Sequence, residues 1–389
     1  MDKNAIQNFL QQQRSNDLYR SRSITDSPQG VNLELNGKSY LNFCSNDYLG
    51  LANHPEVCAA FTKGIKLYGV GSGASHLING HSRAHHQLEE ELAEFVRRPR
   101  ALLFSTGYMA NLGVISALVA KGDAVFEDRL NHASLLDGGL LSRARMQRYQ
   151  HSNTDDLAAK LVNSKAKTKL VCTDGVFSMD GDIAPLAELV EQSNQSNSWL
   201  MVDDAHGLGT VGATGRGCLE LINATTADVP ILMGTLGKAF GTFGAFVAGD
   251  EDLIEFLIQR ARSYIYTTAM PAAVAEATRM SLRLVDQESW RREQLTKNIS
   301  YFKQGLAQIQ ITDDVGANYN TGSDTAIQPI VIGDVQQTVR LSEKLKQAGI
   351  LVSAIRPPTV PENTARLRIT LCAEHSKQQI EQLLDTLSA

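Results

Sequence analysis

The sequence predicts an α/β protein that has a large domain, with a mostly parallel sheet between helices, and a smaller C-terminal α+β domain. Short apolar runs alternate with longer helical patterns through the first two thirds of the chain, as expected for parallel strands joined by helical crossovers. Runs such as residues 199–202 (WLMV) are apolar without alternation, which is typical of strands covered on both faces. After residue 271 the order of elements changes, and this change predicts the second domain.

The elements of the large domain follow from the spacing of its apolar residues. Residues 84–96 carry apolar side chains at helical spacing, and the same pattern assigns residues 109–120 and 185–193 to helices. Six mostly apolar runs of four or five residues are too short for helices and predict strands. These strands are residues 101–105, 124–127, 170–173, 199–202, 231–234 and 245–248.

The C-terminal region predicts helices and strands in a mixed order. Residues 272–296 form one long helical pattern, and a polar stretch that contains Gly follows at 312–325. Beyond it we expect strands at 327–332, 350–355 and 366–371, and helices at 336–347 and 376–387. The chain is therefore divided into an N-terminal segment (1–45), a large domain (46–271) and a small domain (272–389).

Composition and charge exclude several classes of protein. The 389 residues carry 37 Lys and Arg against 42 Asp and Glu, so the net charge is −5 and no basic excess favours nucleic acid. No run of about 18 apolar residues predicts a membrane span, and the polar N-terminus does not resemble a signal peptide. The five scattered cysteines form no C-x-x-C pair, so no disulfide framework or cysteine zinc site is expected. We expect a cytoplasmic enzyme.

Polar residues follow four of the predicted strands, at the positions where open α/β sheets bind ligands. They are residues 105–108 (STGY), 174–178 (DGVFS), 203–206 (DDAH) and 234–238 (GTLGK). Together they bring hydroxyls, carboxylates, an imidazole and a lysine to one rim of the sheet. This set matches the needs of pyridoxal phosphate, which requires a lysine for a Schiff base, an acid for its pyridine nitrogen and a cradle for its phosphate.

Lys238 and Asp203 are the central candidates. Lys238 stands between Gly237 and Gly241, where the backbone is open to close approach, and is the candidate Schiff-base lysine; the alternative is a surface lysine after a strand. Asp203 follows four apolar residues, so its carboxylate is expected to be partly buried and to face a cation. A pyridinium N–H would serve as that cation, and the alternatives are an arginine partner or a helix N-cap.

The other candidates around the rim have weaker signals. His206 lies three residues beyond Asp203 and is a candidate partner for the phenolic oxygen of the cofactor, unless it is a structural histidine. His132 is a candidate to stack on the ring. Ser105, Gly107 and Tyr108 precede a helix, whose N-terminus favours phosphate, although plain N-capping by a hydroxyl there is common.

The other motifs in the sequence argue against a nucleotide or a metal ion as the ligand. Residues 71–76 (GSGASH) lack the third glycine of a dinucleotide fingerprint, and no Walker A motif is present. His81, His85 and His86 precede Glu89, but H-E-x-x-H is absent, so we expect a solvated helix face and no metal. Arg366, Arg368 and Thr370 share one face of a predicted strand, which indicates an anion-binding surface or a solvated edge.

With these residues assembled, the chain resembles the α-oxoamine synthases, which are fold-type I pyridoxal-phosphate enzymes. The resemblance rests on residues 235–241 (TLGKAFG) and 202–207 (VDDAHG). It extends over nearly the whole chain through residues 42–51 (NFCSNDYLGL), 71–75, 128–135 (DRLNHASL), 175–182 (GVFSMDGD), 264–271 and 356–371.

The resemblance implies roles for individual residues. Lys238 would form the Schiff base with the cofactor and then move the proton at the substrate α-carbon. Asp203 would pair with the pyridine nitrogen, His206 with the phenolic oxygen, and His132 would stack on the ring. The other cofactor-binding residues would be Gly107, Tyr108, Ser178, Thr235 and Thr268. Thr268 would reach the phosphate of the neighbouring subunit, which implies a homodimer with shared active sites. The residues implied in substrate binding are Arg20, Asn46, Arg356, Thr359 and Arg368.

Residues 355–361 (IRPPTVP) and 364–368 (TARLR) most resemble the branch of the family that condenses L-alanine with a pimeloyl thioester. Arg368 would then bind the amino-acid carboxylate and Arg20 the far carboxylate of the pimeloyl chain. The carrier stays open between CoA and acyl-carrier protein, and His76 has no assigned role. The alternatives are another α-oxoamine synthase, which joins glycine to acetyl-CoA or serine to a long acyl-CoA, and a non-catalytic partner subunit of this fold.

Overall fold

The computed structural model describes residues 2–309 and 322–388, so the predicted polar stretch at 312–325 lies mostly outside the described residues. Contacts divide the chain into two compact units. The larger unit comprises Leu49–Ser178 and Asp182–Arg292. The smaller unit comprises Met179–Gly181 and the described parts of Met1–Tyr48 and Glu293–Ala389.

The strands and helices of the described residues are named here in chain order. The strands are β1 (Asn32–Leu35), β2 (Lys38–Asn42), β3 (Arg100–Phe104), β4 (Ala124–Asp128), β5 (Arg145–Tyr149), β6 (Lys169–Asp174), β7 (Trp199–Asp203), β8 (Ile231–Thr235), β9 (Ala245–Gly249), β10 (Ile327–Gly333), β11 (Ile350–Leu351), β12 (Ser353–Ile355) and β13 (Ala365–Thr370). The helices are α1 (Lys3–Ser15), α2 (Pro55–Tyr68), α3 (Arg83–Phe95), α4 (Gly107–Leu118), α5 (Ala133–Ser142), α6 (Thr154–Val162), α7 (Leu186–Gln195), α8 (Cys218–Leu221), α9 (Glu251–Arg260), α10 (Arg262–Ile265), α11 (Ala272–Gln287), α12 (Ser289–Leu306), α13 (Val335–Gln347) and α14 (Lys377–Ser388). A π-helical turn at His76–Gly80 precedes α3.

The larger unit contains a seven-stranded sheet in the order β3-β9-β8-β7-β6-β4-β5. Only β9 runs antiparallel to its neighbours, so β3 points the same way as the parallel strands β4 to β8. The carboxyl ends of these strands therefore meet at one edge of the sheet. The predicted α/β class and mostly parallel sheet are confirmed, and the six predicted strands are present to within one residue at each end.

One strand of this sheet, β5, was not expected from the sequence. Its residues RMQRY are mostly polar, and the side chains of Arg145 and Arg148 are exposed. The strand lies at the edge of the sheet and pairs only with β4 among the described strands. Because an edge strand can leave polar side chains in solvent, it lacks the apolar run on which the other strands were identified.

The core of the larger unit lies between the sheet and the helices that cover it. In α4, Ala110, Val114 and Ile115 are completely buried and pack in one cluster with apolar residues of β7, β8 and β9. Because α4 is apolar around most of its circumference, it is held between the sheet and α5. This packing fixes the N-terminus of α4 beside the carboxyl end of the sheet.

The smaller unit contains two three-stranded sheets. In the first, β2 pairs antiparallel with β1 and parallel with β11. In the second, β13 lies between β10 and β12, antiparallel to both. The single strand predicted at 350–355 is therefore wrong, because β11 pairs with β2 while β12 pairs with β13. The chain passes from one sheet to the other at Val352, which is buried.

The single helix predicted at 272–296 is also wrong, because two helices occupy this region. Glu288 separates α11 from α12 with a non-helical backbone (φ −102°, ψ 61°), and its carboxylate accepts a hydrogen bond from Arg291 Nε at 2.6 Å. Glutamate is common inside helices, so the sequence carries no signal for this break.

The division of the chain differs from the predicted boundary after residue 271. Helix α11 packs against α2 in the larger unit, where a Cβ at Gly64 would lie 2.8 Å from Ala273 Cα. Since α11 is part of this core, the larger unit continues to Arg292.

No helix among the described residues is long and apolar enough to cross a bilayer.

Candidate active site

A cavity of about 180 Å³ opens in the larger unit at the carboxyl ends of the parallel strands. Its lining includes every cofactor-binding residue predicted from the sequence except Thr268. The lining residues are Gly107, Tyr108, Asn111, His132, Ser134, Asp174, Ser178, Asp203, Ala205, His206, Met233, Thr235 and Lys238.

Asp203 ends β7 and is 4% exposed. Its Oδ2 accepts a hydrogen bond from Asn111 Nδ2 at 2.7 Å, and its Oδ1 accepts one from the backbone N–H of Ala205 at 3.1 Å. These neutral donors orient the carboxylate but do not offset its charge. Its hydrogen-bond donors are a side-chain amide and a backbone N–H, so the alternative of an arginine partner is not observed among the described residues. A cationic N–H on a bound ligand would compensate this buried charge.

Asp204, the next residue, has a different role. It is fully buried, and its Oδ2 accepts a hydrogen bond from the backbone N–H of Cys218 at 2.7 Å. A Cβ at Gly207 or Gly217 would lie 2.1 Å or 1.9 Å from its carboxylate oxygens, so these glycines make room for it. Burial raises the pKa of Asp204 to about 6. Asp204 therefore supports the turn that follows β7, while Asp203 faces the cavity.

A second buried carboxylate, Asp174, lies beside Asp203 because the two residues are paired in the register of β6 and β7. Burial and the negative charge of Asp203 raise the pKa of Asp174 well above its usual range. Its Oδ2 accepts a hydrogen bond from the backbone N–H of His132 at 2.8 Å. Asp174 thereby fixes the backbone that carries His132.

His132 caps the N-terminus of α5, and its Nδ1 accepts a hydrogen bond from the backbone N–H of Ser134 at 3.3 Å. Burial lowers the pKa of His132, which favours a neutral ring. This ring lies nearly perpendicular to that of Tyr108, with centroids 6.4 Å apart, and the Tyr108 hydroxyl donates to Asp137. The ring is thus a neutral flat surface in the wall of the cavity.

Lys238 lies in the loop after β8, and it is half-buried where it lines the cavity. The loop is closed by hydrogen bonds from Leu236 N–H to Gly244 O at 2.8 Å and from Gly241 N–H to Lys238 O at 2.8 Å. Gly241 has φ +62°, and a Cβ there would lie 2.4 Å from Ala52 N. Glycine is therefore required at 241, while Gly237 faces open space on most sides.

The N-terminus of α4 forms another part of the cavity wall. Thr106 caps this helix by accepting a hydrogen bond from Met109 N–H at 3.2 Å, and Gly107 and Tyr108 begin the helix. Thr235 ends β8 and donates from Oγ1 to Gly244 O at 3.1 Å. The capping role expected of a hydroxyl here belongs to Thr106, and the remaining N–H groups of the first turn suit an anion.

Thr268 is exposed and lies outside the cavity lining. It pairs with Ser75 in an antiparallel bridge, and Ala269 N–H donates to Ala74 O at 3.0 Å. The structure describes one chain, so the predicted contact between Thr268 and a neighbouring subunit stays a prediction.

The residues predicted to bind substrate all lie in the smaller unit. Arg368 Nη2 donates to Asn46 Oδ1 at 3.2 Å. Arg20 Nη2 donates to Thr359 Oγ1 at 3.3 Å. Arg356 donates to the backbone oxygen of Asp17. Each of these residues therefore contacts either another member of the predicted set or the N-terminal segment.

The predicted face of Arg366, Arg368 and Thr370 is not a solvated edge, because β13 is the central strand of its sheet and all three residues are buried. Arg366 forms an ion pair with Asp180 and donates from Nε to Thr364 O at 3.0 Å. This pairing gives Arg366 a structural role.

Two polar residues of the cavity, Asn111 and Ser134, were not singled out from the sequence, while Asp174 was expected at the rim but was given no role. Asn111 Nδ2 donates to both Asp203 and Ser134 Oγ, the latter at 2.8 Å. Asn111 lies four residues after Gly107 on α4, and this helical spacing is the one sequence signal that connects it with the cavity.

Comparisons with known proteins agree with this architecture. Residues 38–387 match the family model described as aminotransferase class I and II. The 8-amino-7-oxononanoate synthase of Nitrosococcus oceani is 60% identical over 380 residues, covering 97% of this chain and 98% of that protein. The enzyme of the same name from Methylococcus capsulatus is also 60% identical, covering 96% of this chain and 95% of that protein.

Two solved structures of enzymes are similar to this chain over most of its length. The serine palmitoyltransferase of Sphingomonas wittichii superposes with a TM-score of 0.91 at 34% identity, covering 99% of this chain and 96% of that one. The 8-amino-7-oxononanoate synthase of Francisella tularensis superposes with a TM-score of 0.76 at 33% identity, covering 90% of this chain and 97% of that one.

Proposed function

Because this chain belongs to the class I and II aminotransferase family and, within it, to the 8-amino-7-oxononanoate synthases, we propose that it condenses L-alanine with a pimeloyl thioester. The products are 8-amino-7-oxononanoate, carbon dioxide and the free thiol, and the cofactor is pyridoxal phosphate. The observation that carries this proposal is that Lys238, which bears an amine, and the buried carboxylate of Asp203 line the same cavity.

The side chains of the cavity fit pyridoxal phosphate. Asp203 is buried and accepts hydrogen bonds from neutral donors, so a pyridinium N–H on the cofactor would offset its charge. The neutral ring of His132 offers a surface for stacking, and His206 lies within the same lining. The N-terminus of α4 suits the phosphate, and Thr235 lines the same cavity.

When bound, pyridoxal phosphate supplies an electron sink for the carbanion at the substrate α-carbon. Asp203 keeps the pyridine nitrogen protonated, which strengthens that sink. Lys238 holds the cofactor before alanine arrives, and its freed amine then acts as the base that takes the α-proton and later returns a proton.

The smaller unit supplies the groups that recognise the two substrates. Arg368, oriented by Asn46, binds the carboxylate of alanine through its guanidinium fork. Arg20, with Thr359 and Arg356, binds the pimeloyl chain, whose far carboxylate needs a cation. An acetyl donor has no such carboxylate, so Arg20 favours the pimeloyl substrate over acetyl-CoA.

The enzyme acts as a homodimer in which Thr268 reaches the phosphate of the neighbouring active site. Exposed apolar side chains lie on both sides of Ser75, the bridge partner of Thr268, in the chain. Leu67 and Val70 precede Ser75, and Leu77 and Ile78 belong to the π-helical turn that follows it. Exposed apolar side chains in this region favour association with a second copy.

Steady-state assays with defined substrates test this proposal. We expect turnover of L-alanine with pimeloyl-CoA, pimeloyl-acyl-carrier protein or both, and the ratio of kcat/KM between the two identifies the carrier. Arg20→Ala is expected to raise KM for the pimeloyl donor about tenfold or more with little change in KM for alanine. Arg22→Ala, which removes an exposed arginine two residues away, is the matched control. Turnover of glycine and acetyl-CoA alone would refute the proposal.

A further inference from the structure

Four histidines and one glutamate gather around the start of α3, in a part of the larger unit that the proposed reaction does not use. The residues are His76, His81, His85, His86 and Glu89. All except His85 line a second cavity of about 290 Å³, which is distinct in its lining from the cavity that contains Lys238.

Two of the histidines have roles in the fold. His85 is completely buried, its Nδ1 accepts a hydrogen bond from Ser82 N–H at 3.0 Å, and its Nε2 donates to Met270 O at 2.7 Å. The ring of His76 stacks on Tyr264 with centroids 5.1 Å apart and planes 14° apart. Both nitrogens of His85 are therefore occupied, while His76 is held in place by its stacking.

His81 is oriented by His76. Their Nδ1 atoms lie 3.0 Å apart, so one ring donates and the other accepts. When His81 donates this proton, its Nε2 carries a lone pair and faces Glu89 Oε2 at 3.9 Å. An outer hydrogen bond of this kind is what metal-binding histidines commonly use to fix their tautomer and ring position.

Glu89 is equally constrained. Its side chain is 14% exposed, and its Oε1 accepts a hydrogen bond from Leu103 N–H at 2.9 Å, which leaves Oε2 toward His81. A nearby cation would stabilise the charged carboxylate in this position.

We propose that His81, His86 and Glu89 bind one divalent transition-metal cation of the Zn²⁺ class. The three residues offer ligand atoms that all lie within 4.8 Å of one another. Ligands at the usual Zn–N and Zn–O distances in a tetrahedral site are about 3.3–3.5 Å apart, so a small movement of the exposed His86 closes the site. Solvent completes the fourth position.

The ligand types select the class of metal. Two imidazoles and one carboxylate suit Zn²⁺, Co²⁺ or Ni²⁺, whereas Mg²⁺ and Ca²⁺ prefer oxygen ligands. His86 Nε2 also contacts Glu90 Oε1 at 3.5 Å. Because both side chains are exposed, this contact competes only weakly with metal binding.

This site differs from the sequence-based expectation of no metal, which rested on the absence of an H-E-x-x-H motif. The fold directs His85 to Met270 O and brings His81, from the turn before α3, to Glu89 in its place. A cation would therefore join that turn to α3.

Calorimetric titration of Zn²⁺ into the chelator-treated holoenzyme tests the proposal. We expect one Zn²⁺ per chain, and we expect His81→Asn, His86→Gln and Glu89→Gln each to lower the affinity about tenfold or more. His54→Asn is the control, because it removes an imidazole but keeps an acceptor for Glu56 N–H at the start of α2. His86 is 52% exposed, so His86→Gln leaves the fold intact.

A second measurement follows thermal unfolding of the same proteins. Zn²⁺ is expected to raise the Tm of the wild-type and His54→Asn holoenzymes but not that of His86→Gln. The proposal is overturned if the wild-type protein shows no saturable Zn²⁺ binding, or if His81→Asn and His86→Gln bind Zn²⁺ as the wild type does.

Discussion

Asp203 and Asp204 are adjacent aspartates with opposite tasks. Asp203 lies in the cavity wall and receives hydrogen bonds only from neutral groups among the described residues, so its charge is available to a cofactor. Asp204 faces inward, where glycines leave room for it. The alternation of side chains along β7 and the turn after it set the direction of each carboxylate. Asp203 therefore faces the cavity, and Asp204 stabilises the turn.

Asp203→Asn tests the chemical task. We expect kcat to fall about a hundredfold to a thousandfold because the amide cannot hold the pyridine nitrogen in its charged form. The Tm should change little, since the amide retains an oxygen that can accept from Asn111. Asp204→Ala is the contrasting variant, and it should lower the free energy of unfolding by about 1–3 kcal/mol by leaving Cys218 N–H without an acceptor. Equal kinetics of Asp203→Asn and wild type would contradict the assignment.

Glu127, a buried residue of β4 outside the cavity, predicts a pH dependence of stability. Burial raises the pKa of Glu127 from 4.5 to about 7, although its Oε2 accepts a hydrogen bond from Asn131 Nδ2 at 2.7 Å. The folded state therefore binds the proton more tightly than the unfolded state. The contribution of Glu127 to stability is fully present below pH 4.5 and is lost as the pH rises to about 7.

Glu127→Gln is expected to remove this dependence. Between pH 4.5 and 7 the free energy of unfolding of the wild type should fall relative to that of the variant by up to about 3 kcal/mol. Chemical denaturation at a series of pH values measures the difference, and parallel curves for the two proteins would show that Glu127 does not titrate in this range.

At the scale of elements, the loop after β8 positions Lys238 by means of one glycine. Gly241→Ala places a Cβ against Ala52 N in a left-handed backbone, so we expect a loss of about 1–3 kcal/mol in unfolding free energy together with weaker cofactor binding. Gly237→Ala is the matched control in the same loop. Its Cβ would come no closer than 3.6 Å to a neighbour, and its effect should stay within about 0.5 kcal/mol. Equal losses in both variants would show that Gly241 does not constrain the loop.

The sequence predicted those elements whose apolar pattern is unambiguous. Strands β6, β7 and β8 are buried on both faces, so their boundaries and the polar residues that follow them were predictable. The edge strand β5 and the break at Glu288 carry no such pattern. Asn111 on α4 belongs to the site because it contacts Asp203, and Ser134 on α5 belongs to it because it contacts Asn111. The order of these residues in the sequence does not reveal either contact.

At the scale of the whole molecule, the proposed dimer makes Thr268 serve the active site of the other chain. Thr268→Val is expected to lower cofactor affinity about tenfold, and Lys238→Ala to abolish turnover. A mixed dimer of these two variants would contain one site with both Lys238 and Thr268 intact. At limiting cofactor, mixing the two inactive or weakened proteins should therefore restore activity.

The outcome of mixing separates the two arrangements. If Thr268 contacted the cofactor of its own chain, the site with Lys238 would still carry the valine, and mixing would restore nothing. Native mass spectrometry of the mixture separates the mixed dimer from the two parent dimers by mass, so it measures how far subunits exchange and serves as the control.

The central claim is that the amine of Lys238 holds the cofactor opposite Asp203. Borohydride reduction of the holoenzyme followed by peptide mapping tests it most directly, because reduction makes the link between lysine and cofactor permanent. We expect the pyridoxyl label on Lys238 alone and no label in Lys238→Ala. A label on any other lysine, or a reduced wild-type protein without label, would contradict the account.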